Sequence, residues 1–223
     1  VGESVSVQWT VRNEGTAAAS GSWVDRVYLS ADGSVAGAVE LGSYEQTGVL
    51  GAGESYTRTE TLTVPSMKAQ AYTLVVVTDA TDKVFERAGE SNNTGRAEVK
   101  TAVTSADLVV STISTPAATT SGSDVAVSWV VRNDGTGAAS GGWTDRVYWS
   151  ADAVLSGNDL LVGQAVQGTA LAPGAEYSVQ LTVRLPDGVQ GEYRLLVQTD
   201  ATGRVPEVSQ EGNNVSASLP FAV

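Results

Sequence analysis

The chain has 223 residues, with 25 acidic and 13 basic side chains, so its net charge at neutral pH is −12. Such a surface disfavours nucleic acid and anionic lipid as partners, because it offers no excess of positive charge to phosphate groups. Histidine and cysteine are both absent, which excludes disulfides, thiolate nucleophiles and the usual nitrogen and sulfur ligands of transition metals. The oxygen ligands that remain suit Ca²⁺ or Mg²⁺.

No apolar run approaches the ~18 residues that a membrane-spanning helix needs, so we expect no membrane insertion. No signal peptide is visible at the start of the chain. The chain begins in the middle of a strand pattern, and we therefore expect it to be a piece of a longer protein.

The apolar residues at the start of the chain recur with a period of two. Val5, Val7, Trp9 and Val11 alternate with polar residues. This alternation predicts half-buried antiparallel strands rather than helices. The stretch RNEGT that follows predicts a turn, in which Asn and Gly would adopt the left-handed backbone conformation.

The chain contains a long tandem repeat. The stretch VSVQWTVRNEGTAAASGSWVDRVYLSAD from Val5 matches VAVSWVVRNDGTGAASGGWTDRVYWSAD from Val125. Farther along, YTLVVVTDATDKVFE from Tyr72 matches YRLLVQTDATGRVPE from Tyr193. A repeat of this length is a whole domain rather than one turn of a solenoid. The predicted domains are residues 1–104 and 105–223.

The second domain shows a pattern of seven strands. Seven short alternating strands in about 100 residues are typical of an immunoglobulin-like sandwich. We therefore predict an all-β protein made of two tandem immunoglobulin-like antiparallel β-sandwich domains. Only four residues precede Val5, so the first strand of the first domain is expected to be missing from this chain. The predicted strands of the second domain are 107–113, 124–132, 143–150, 160–166, 176–185, 192–199 and 214–222.

Charged residues fall on faces that the strand pattern turns inward. Arg58 and Glu60 stand where the second domain has Val179 and Leu181. Two charges on a buried face are costly unless they are paired. We expect them either to pair with each other along the strand or to lie at an exposed edge.

Asp25 and Asp145 share strand parity with apolar neighbours in the matching stretches WVDRVY and WTDRVY. A buried carboxylate needs a partner. Arg12 and Arg132 are the partners that the neighbouring strands suggest. The role expected is structural, since catalysis by a carboxylate pair needs a second acid at a set distance.

Four motifs, in order, carry a resemblance to a known family. They are DLVVSTIS, SWVVRNDGTGAASGGWTDRVYWSAD, LAPGAEYSVQLTVRLP and GEYRLLVQTDATGRVPEVSQEGNN. Together they resemble CARDB, the cell-adhesion-related domain found in bacteria, over the whole second domain and over the first domain apart from its first strand. The resemblance implies an immunoglobulin-like sandwich that occurs in tandem in bacterial surface and secreted proteins. It also implies a role that is adhesion-related, extracellular and non-catalytic.

The stretch before the last strand of each domain gathers oxygen ligands. A hairpin connection would bring these side chains together, and Ca²⁺ takes six to eight oxygens. A Ca²⁺ ion at the junction between the domains would stiffen a stalk. The candidate ligands of the first domain are Asp79, Asp82, Glu86, Glu90, Asn92 and Asn93, with Asp107 at the domain junction. Those of the second domain are Asp200, Glu207, Glu211, Asn213 and Asn214.

The same stretches also fit a capped turn. Asn tolerates the left-handed conformation and bonds to its own backbone, and the glutamates would then be solvated. The spacing matches no standard Ca²⁺ loop such as the EF-hand. Repetition within one chain does not decide between the two interpretations.

A second group of candidate ligands lies in SADAVLSGNDLL, where Asp152, Asn158 and Asp159 could surround a cation. The matching stretch of the first domain keeps Asp32 but has no counterpart of Asp159. An ordinary polar hairpin loop is the alternative interpretation.

The five tryptophans are expected in the cores. Trp149 replaces Leu29 and, if exposed, would offer a surface on which a sugar could stack.

The function predicted is that of a non-catalytic extracellular module that spaces or presents other domains and is stiffened by Ca²⁺. The alternative is a carbohydrate-binding or accessory module attached to a secreted hydrolase. A glycosidase with two carboxylates is a third hypothesis, but no cofactor motif, nucleophile elbow or phosphate loop supports it. The expected partners are neighbouring repeats of the same chain and a cell-surface protein or glycan. The expected location is extracellular or on the bacterial surface.

Overall fold

The computed structural model describes residues 2, 4–86, 89–208 and 210–223. It confirms the all-β prediction. The chain divides into two compact units, Val1–Val103 and Thr104–Val223, called unit one and unit two below. Among the described residues, no helix has the length and apolar character required to cross a membrane.

Unit one is a sandwich of two antiparallel sheets. One sheet pairs β1 with β4, and the other has the order β3-β2-β5-β6, with β7 on the far end of β5. The strands are β1 (Ser4–Arg12), β2 (Ala19–Ser30), β3 (Val39–Leu50), β4 (Ser55–Thr63), β5 (Gln70–Val77), β6 (Thr94–Arg96) and β7 (Thr101–Val103).

Unit two repeats this arrangement with one more strand. Its sheets have the orders β12-β9-β8 and β11-β10-β13-β14, and β15 pairs with the far end of β13. The strands are β8 (Leu108–Ser114), β9 (Asp124–Asn133), β10 (Trp143–Ser150), β11 (Leu160–Gln167), β12 (Glu176–Arg184), β13 (Glu192–Gln198), β14 (Val215–Ala217) and β15 (Phe221–Ala222).

The last predicted strand, 214–222, is in fact two strands that pair with different parts of β13. Between them the Ser218 N–H still donates to the Leu195 carbonyl at 2.9 Å, but the return bond, from the Leu195 N–H at 3.1 Å, goes to the Ser218 hydroxyl instead of a backbone carbonyl. Pro220 follows and has no N–H to donate, but unit one has the same break between β6 and β7 without a proline. The alternation of apolar residues did not reveal this break.

The extra strand of unit two covers the outer edge of β9. Leu108 and Val110 on β8 are buried there and join one continuous core with Trp129 and Trp143. In unit one, β1 pairs with β4, and no strand of the described residues lies on its other side. The buried residues of unit one form two clusters, which are connected only through partly buried residues, Val5, Leu41 and Leu74. Unit one is therefore open at the edge that β8 closes in unit two.

The open edge of unit one leaves the side chains of β1 slightly more exposed to solvent than those of its counterpart β9. Val7 and Trp9 on β1 are 7% and 8% exposed, whereas Val127 and Trp129 on β9 are 0% and 1% exposed. On the neighbouring strand β4, Arg58 and Glu60 pair with each other, which is one of the two alternatives predicted for them. Arg58 Nε lies 2.7 Å from Glu60 Oε1, with both side chains partly exposed.

The turns after β1 and β9 form, but not by the backbone conformation predicted from RNEGT and RNDGT. The asparagines and glycines of these turns, Asn13, Gly15, Asn133 and Gly135, do not have positive φ. The asparagine side chain organises the turn instead. The Asn133 amide donates to the carbonyls of Gly137 and Leu171 at 2.8 and 2.9 Å, and its oxygen accepts from the Gly135 N–H at 3.0 Å.

Candidate functional site

Each sandwich encloses one aspartate whose carboxylate accepts three side-chain hydrogen bonds. In unit two, Asp145 is 1% exposed and accepts from Trp129 Nε1 at 2.9 Å, the Tyr177 hydroxyl at 2.7 Å and the Thr199 hydroxyl at 2.8 Å. Trp143 Nε1 in turn donates to the Tyr177 hydroxyl at 3.0 Å. The arrangement links both sheets through one buried group.

Unit one has the same network around Asp25, which is fully buried. Its carboxylate accepts from Trp9 Nε1 at 2.8 Å, the Tyr56 hydroxyl at 2.8 Å and the Thr78 hydroxyl at 2.7 Å. The prediction that Arg12 and Arg132 are the partners of these aspartates is wrong. Neutral donors can be buried at lower cost than a guanidinium, because they carry no charge to desolvate.

The electrostatics of these networks fit a structural role. Burial raises the pKa of Asp145, and the hydrogen bonds from Trp129, Tyr177 and Thr199 act in the opposite direction. Burial also raises the pKa of Tyr56 to about 12. A buried carboxylate already held by three donors is not placed to exchange a proton with a substrate. The sequence analysis missed the Tyr and Thr partners, although both recur at matching positions of the repeat.

The predicted ligand stretch of unit one brings three carboxylates together. Asp79, Asp82 and Glu90 each offer an oxygen, and these oxygens lie within 4.8 Å of one another. Asp79 and Asp82 have positive φ, the conformation that a tight loop requires of them. The Asp79 carboxylate also accepts from the backbone N–H groups of Lys83 and Val84 at 2.9 and 2.7 Å.

The remaining candidates of unit one lie around the same loop. The Glu86 N–H donates to Glu90 Oε1 at 2.9 Å, and Asn93 Nδ2 donates to Glu90 Oε2 at 3.3 Å. Burial raises the pKa of Glu86, and the charges of Glu90 and Asp79 add to the effect. Asn92 is exposed and ends a short 3-10 turn, Glu90–Asn92. The stretch is thus a turn held by the carboxylates of Asp79 and Glu90 rather than by the asparagines, and it is also a concentration of negative charge.

The matching loop of unit two has the same backbone anchors but fewer carboxylates. Asp200 has positive φ and accepts from the N–H groups of Arg204 and Val205 at 2.9 and 2.7 Å. Gly203 stands where unit one has Asp82. Glu211 Oε1 accepts from the Glu207 N–H at 3.1 Å.

Glu207 differs from its counterpart Glu86 in burial. It is 0% exposed, and its Oε1 accepts from the Leu108 N–H, at the start of β8, at 2.8 Å. Burial raises the pKa of Glu207 to about 7, assisted by the charges of Glu211 and Asp107, whereas the Leu108 N–H and the Asn214 side chain lower it. The strand that closes the sandwich therefore also seals this carboxylate from water.

Asp107 was predicted at the domain junction, beside the ligands of the first domain. Its observed hydrogen-bond partners belong to unit two. Asp107 Oδ1 accepts from Asn213 Nδ2 at 2.9 Å, and Oδ2 accepts from Gln210 Nε2 at 3.3 Å. The structure thus joins Asp107 to the loop that holds Glu207, Glu211, Asn213 and Asn214.

The candidates Asp152, Asn158 and Asp159 organise their own loop. Asp152 Oδ1 accepts from the Val154 N–H at 2.8 Å, and Asp159 Oδ2 accepts from the Ser156 N–H at 2.6 Å. The Asn158 N–H donates to the Ser156 hydroxyl at 3.3 Å. Hydrogen bonds from Ser150 and Ser156 lower the pKa of Asp159. Each of these contacts is local, as in the polar hairpin loop of the alternative interpretation.

All five tryptophans are buried, as predicted. Trp149 is 6% exposed and stacks on Tyr193 with ring centroids 4.2 Å apart, while Phe221 meets it edge-on at 5.8 Å. A tryptophan packed between two rings of its own core offers no face to a sugar. The hypothesis that Trp149 binds carbohydrate therefore has no support in the geometry.

Comparison with known proteins identifies the repeated unit. The family model CARDB matches the chain twice, over residues 1–97 and 105–218. None of the curated proteins compared with the chain matches it.

Solved structures give weaker likenesses. The crystal structure of a CARDB domain from Pyrococcus furiosus, in complex with di-metal ions, is 23% identical, covers 55% of this chain and 97% of its own, and has a TM-score of 0.42. A solution NMR structure of that domain is 22% identical, covers 54% and 97%, and has a TM-score of 0.40. β-Glucosidase 3B from Thermotoga neapolitana is 18% identical over 56% of this chain but only 16% of its own, with a TM-score of 0.36.

Proposed function

The chain belongs to the CARDB family, a family of non-catalytic adhesion-related modules, and on this premise we propose that its two units space and present other parts of an extracellular or cell-surface bacterial protein. The partners in this proposal are neighbouring repeats of the parent chain and a cell-surface protein or glycan. The role is mechanical and interfacial: the units hold other domains at a distance and take no part in chemistry.

The observation that carries the proposal is the buried carboxylate network repeated in both units. Asp25 and Asp145 are enclosed by donors from both sheets, so each sandwich uses a buried carboxylate to hold its two sheets together. A module built to present its neighbours needs a rigid, self-contained core more than an accessible reactive group. The net charge of −12 adds repulsion that keeps copies of such a module apart in solution.

A finer part of the proposal concerns Ca²⁺. We propose that a cation binds at the loop before the last strands of a unit and stiffens the array. The three carboxylates of unit one within 4.8 Å of one another support a negative potential there. An oxygen-only ligand set favours Ca²⁺ over transition metals, which prefer the nitrogen and sulfur ligands absent from this chain.

The test of the spacing role uses the full chain in two assays. The first measures hydrolysis of a panel of fluorogenic glycosides, for which we expect no turnover above buffer. The second measures binding of the chain to arrays of bacterial and host surface glycans and to immobilised cell-surface protein. Turnover that disappears in a Glu207→Gln, Glu211→Gln double variant would overturn the proposal in favour of a glycosidase.

A further inference from the structure

The loop between β13 and β14 holds buried oxygens that lack hydrogen-bond donors. Glu207 is 0% exposed, and although its Oε1 accepts from Leu108, its Oε2 has no hydrogen-bond partner in the described part of the chain. Asn213 Oδ1 and Asn214 Oδ1 are likewise buried and without a partner among the described residues. A buried acceptor without a donor destabilises the fold, so three in one loop point to something that compensates them.

Hydrogen bonds gather these residues around the start of β8. Glu207 is bonded to Leu108, and the preceding residue, Asp107, accepts from Asn213 Nδ2 at 2.9 Å. The Asn213 amide thus donates its nitrogen to the protein and leaves its oxygen without a donor. That is the orientation expected of an amide that serves as a cation ligand through its oxygen.

The charges around this loop favour a cation. Asp107, Glu207 and Glu211 are close enough that Asp107 and Glu211 both raise the pKa of Glu207. None of the ion pairs among the described residues includes any of these three side chains. A buried carboxylate that lacks a positive partner is expensive, and a bound ion would remove that cost.

We propose that Glu207, Asn213 and Asn214, with the neighbouring carboxylate of Asp107, form a Ca²⁺ site in unit two. The ion would fasten the first strand of the sandwich, through Asp107, to the loop that precedes the last strands. Carboxylate and amide oxygens are hard ligands, and Ca²⁺ accepts irregular sets of them more readily than Mg²⁺, which demands a near-octahedral arrangement.

Unit one provides a matched control within the same chain. Glu86 occupies the position of Glu207 but is partly exposed, and the described part of unit one has no strand like β8 to supply the contacts of Leu108 and Asp107. In the described part of unit one, no side-chain oxygen is both buried and without a hydrogen-bond partner. The proposal therefore assigns the stronger site to unit two, although unit one has the more compact cluster of carboxylates.

The experiment is a titration of the full chain with Ca²⁺, in which binding is measured by calorimetry and by ¹H–¹⁵N spectra. We expect the tighter binding to produce chemical-shift changes at the Leu108 backbone N–H and at the Asn213 and Asn214 side-chain amides. Glu207→Gln keeps an oxygen for Leu108 but removes the charge, and should weaken binding by at least about tenfold, since even an indirect partner of a metal contributes that much. Glu86→Gln should leave the Ca²⁺ response of Leu108, Asn213 and Asn214 in unit two unchanged.

Several outcomes would overturn the site. One is equal binding by Glu207→Gln and the unchanged chain; another is a response confined to Asp79, Asp82 and Glu90; a third is the same spectral change with NaCl at matched ionic strength. If Glu207→Gln does not fold, Asp107→Asn provides the second variant, and undiminished binding by it would count against the proposal.

This site deepens the Ca²⁺ part of the proposed function. A chain that binds no Ca²⁺ and hydrolyses no glycoside would remove the site and leave the spacing role intact.

Discussion

In unit two β9 is flanked by β12 and β8, whereas in the described part of unit one β1 is flanked by β4 alone. The two units otherwise repeat the same sheets and the same buried aspartate. In unit two the core is one continuous cluster and Glu207 is sealed; in unit one the buried residues form two clusters and Glu86 is partly exposed. A single edge strand therefore accompanies both a more continuous core and the burial of Glu207, to which its Leu108 N–H donates directly.

The largest expected difference between the units comes from their matched tryptophans. Trp129→Ala should lower the free energy of unfolding of unit two by about 4 kcal/mol, because it empties a fully enclosed site and removes a donor to Asp145. Trp9→Ala should cost unit one about 1 kcal/mol less, since its site borders an open edge and can relax. Hydrogen-exchange mass spectrometry in increasing urea resolves the two units within the full chain. Equal losses would mean that β8 does not improve the packing around β9.

Two matched glycines probe the entry of the extra strand. A Cβ added at Gly135 would lie 2.4 Å from the Ser105 carbonyl oxygen and 2.6 Å from the Ala106 carbonyl carbon. Because these are backbone atoms at the entry to β8, Gly135→Ala should destabilise unit two by about 3 kcal/mol.

The control for that prediction is Gly15→Ala in unit one. There the nearest atom to an added Cβ is Asn13 Oδ1, a side-chain atom at 3.1 Å. We expect a change within about 1 kcal/mol. The same urea series compares the two variants, and a Gly135→Ala chain as stable as Gly15→Ala would show that the start of β8 moves aside without cost.

Much of this comparison could be predicted from the sequence. The alternation of Val5, Val7, Trp9 and Val11 indicates strands because a period of two places every second residue on the buried face. The same logic placed Asp25 on the buried face of its strand, because it shares parity with apolar neighbours. The repeat itself supplied the tandem organisation.

What the sequence did not provide were the partners across the sandwich. Strand parity says that Asp145 points inward but not which donors it meets, so an arginine was expected where Tyr177 of the opposite sheet and Thr199, after the neighbouring strand β13, donate. Similarly, Asp107 and Glu207 are 100 positions apart in the chain, and only the fold brings the start of β8 to the loop before β14. Nor did the alternation show the break in the last strand, where the Leu195 N–H bonds to the Ser218 hydroxyl.

The buried aspartates are where the two units should behave alike. Asp145→Asn should cost about 2 kcal/mol, because an amide accepts fewer of the three donors and brings an N–H₂ group that needs an acceptor of its own. Asp25→Asn, with the same three types of donor, should cost the same. Urea unfolding followed unit by unit measures both, and a cost confined to one unit would show that the networks are not equivalent.

The pH dependence of unit two should reveal the raised pKa of Asp145. Because the folded pKa lies above the ordinary value of 3.8, this residue favours folding fully below pH 3.8, and that contribution is lost as the pH rises through the folded pKa. The Asp145→Asn variant should lack this component of the pH profile. A variant profile that parallels that of the unchanged chain over this window would contradict the assignment.

The smallest effect is expected at the charged pair that only unit one has. Arg58 and Glu60 are 2.7 Å apart, and the Arg58 guanidinium also lies 4.9 Å from the centre of the Tyr44 ring and donates to the Glu45 carbonyl. With each side chain more than a quarter exposed, the ion pair is screened by solvent. Glu60→Gln should therefore cost less than 1 kcal/mol, with less dependence on salt than in the unchanged chain.

Replacing both residues by those of unit two, Arg58→Val with Glu60→Leu, tests why the pair is present. These positions face Trp9 and Val7 across the ladder, as Val179 and Leu181 face Trp129 and Val127. Apolar replacement of a partly buried ion pair is often neutral or stabilising, so we expect a change within about 1 kcal/mol in urea unfolding. A loss of more than about 2 kcal/mol would show that the charges stabilise β4. A neutral result would assign the pair to solubility at β4, which is an edge strand of its sheet, as β12 is in unit two.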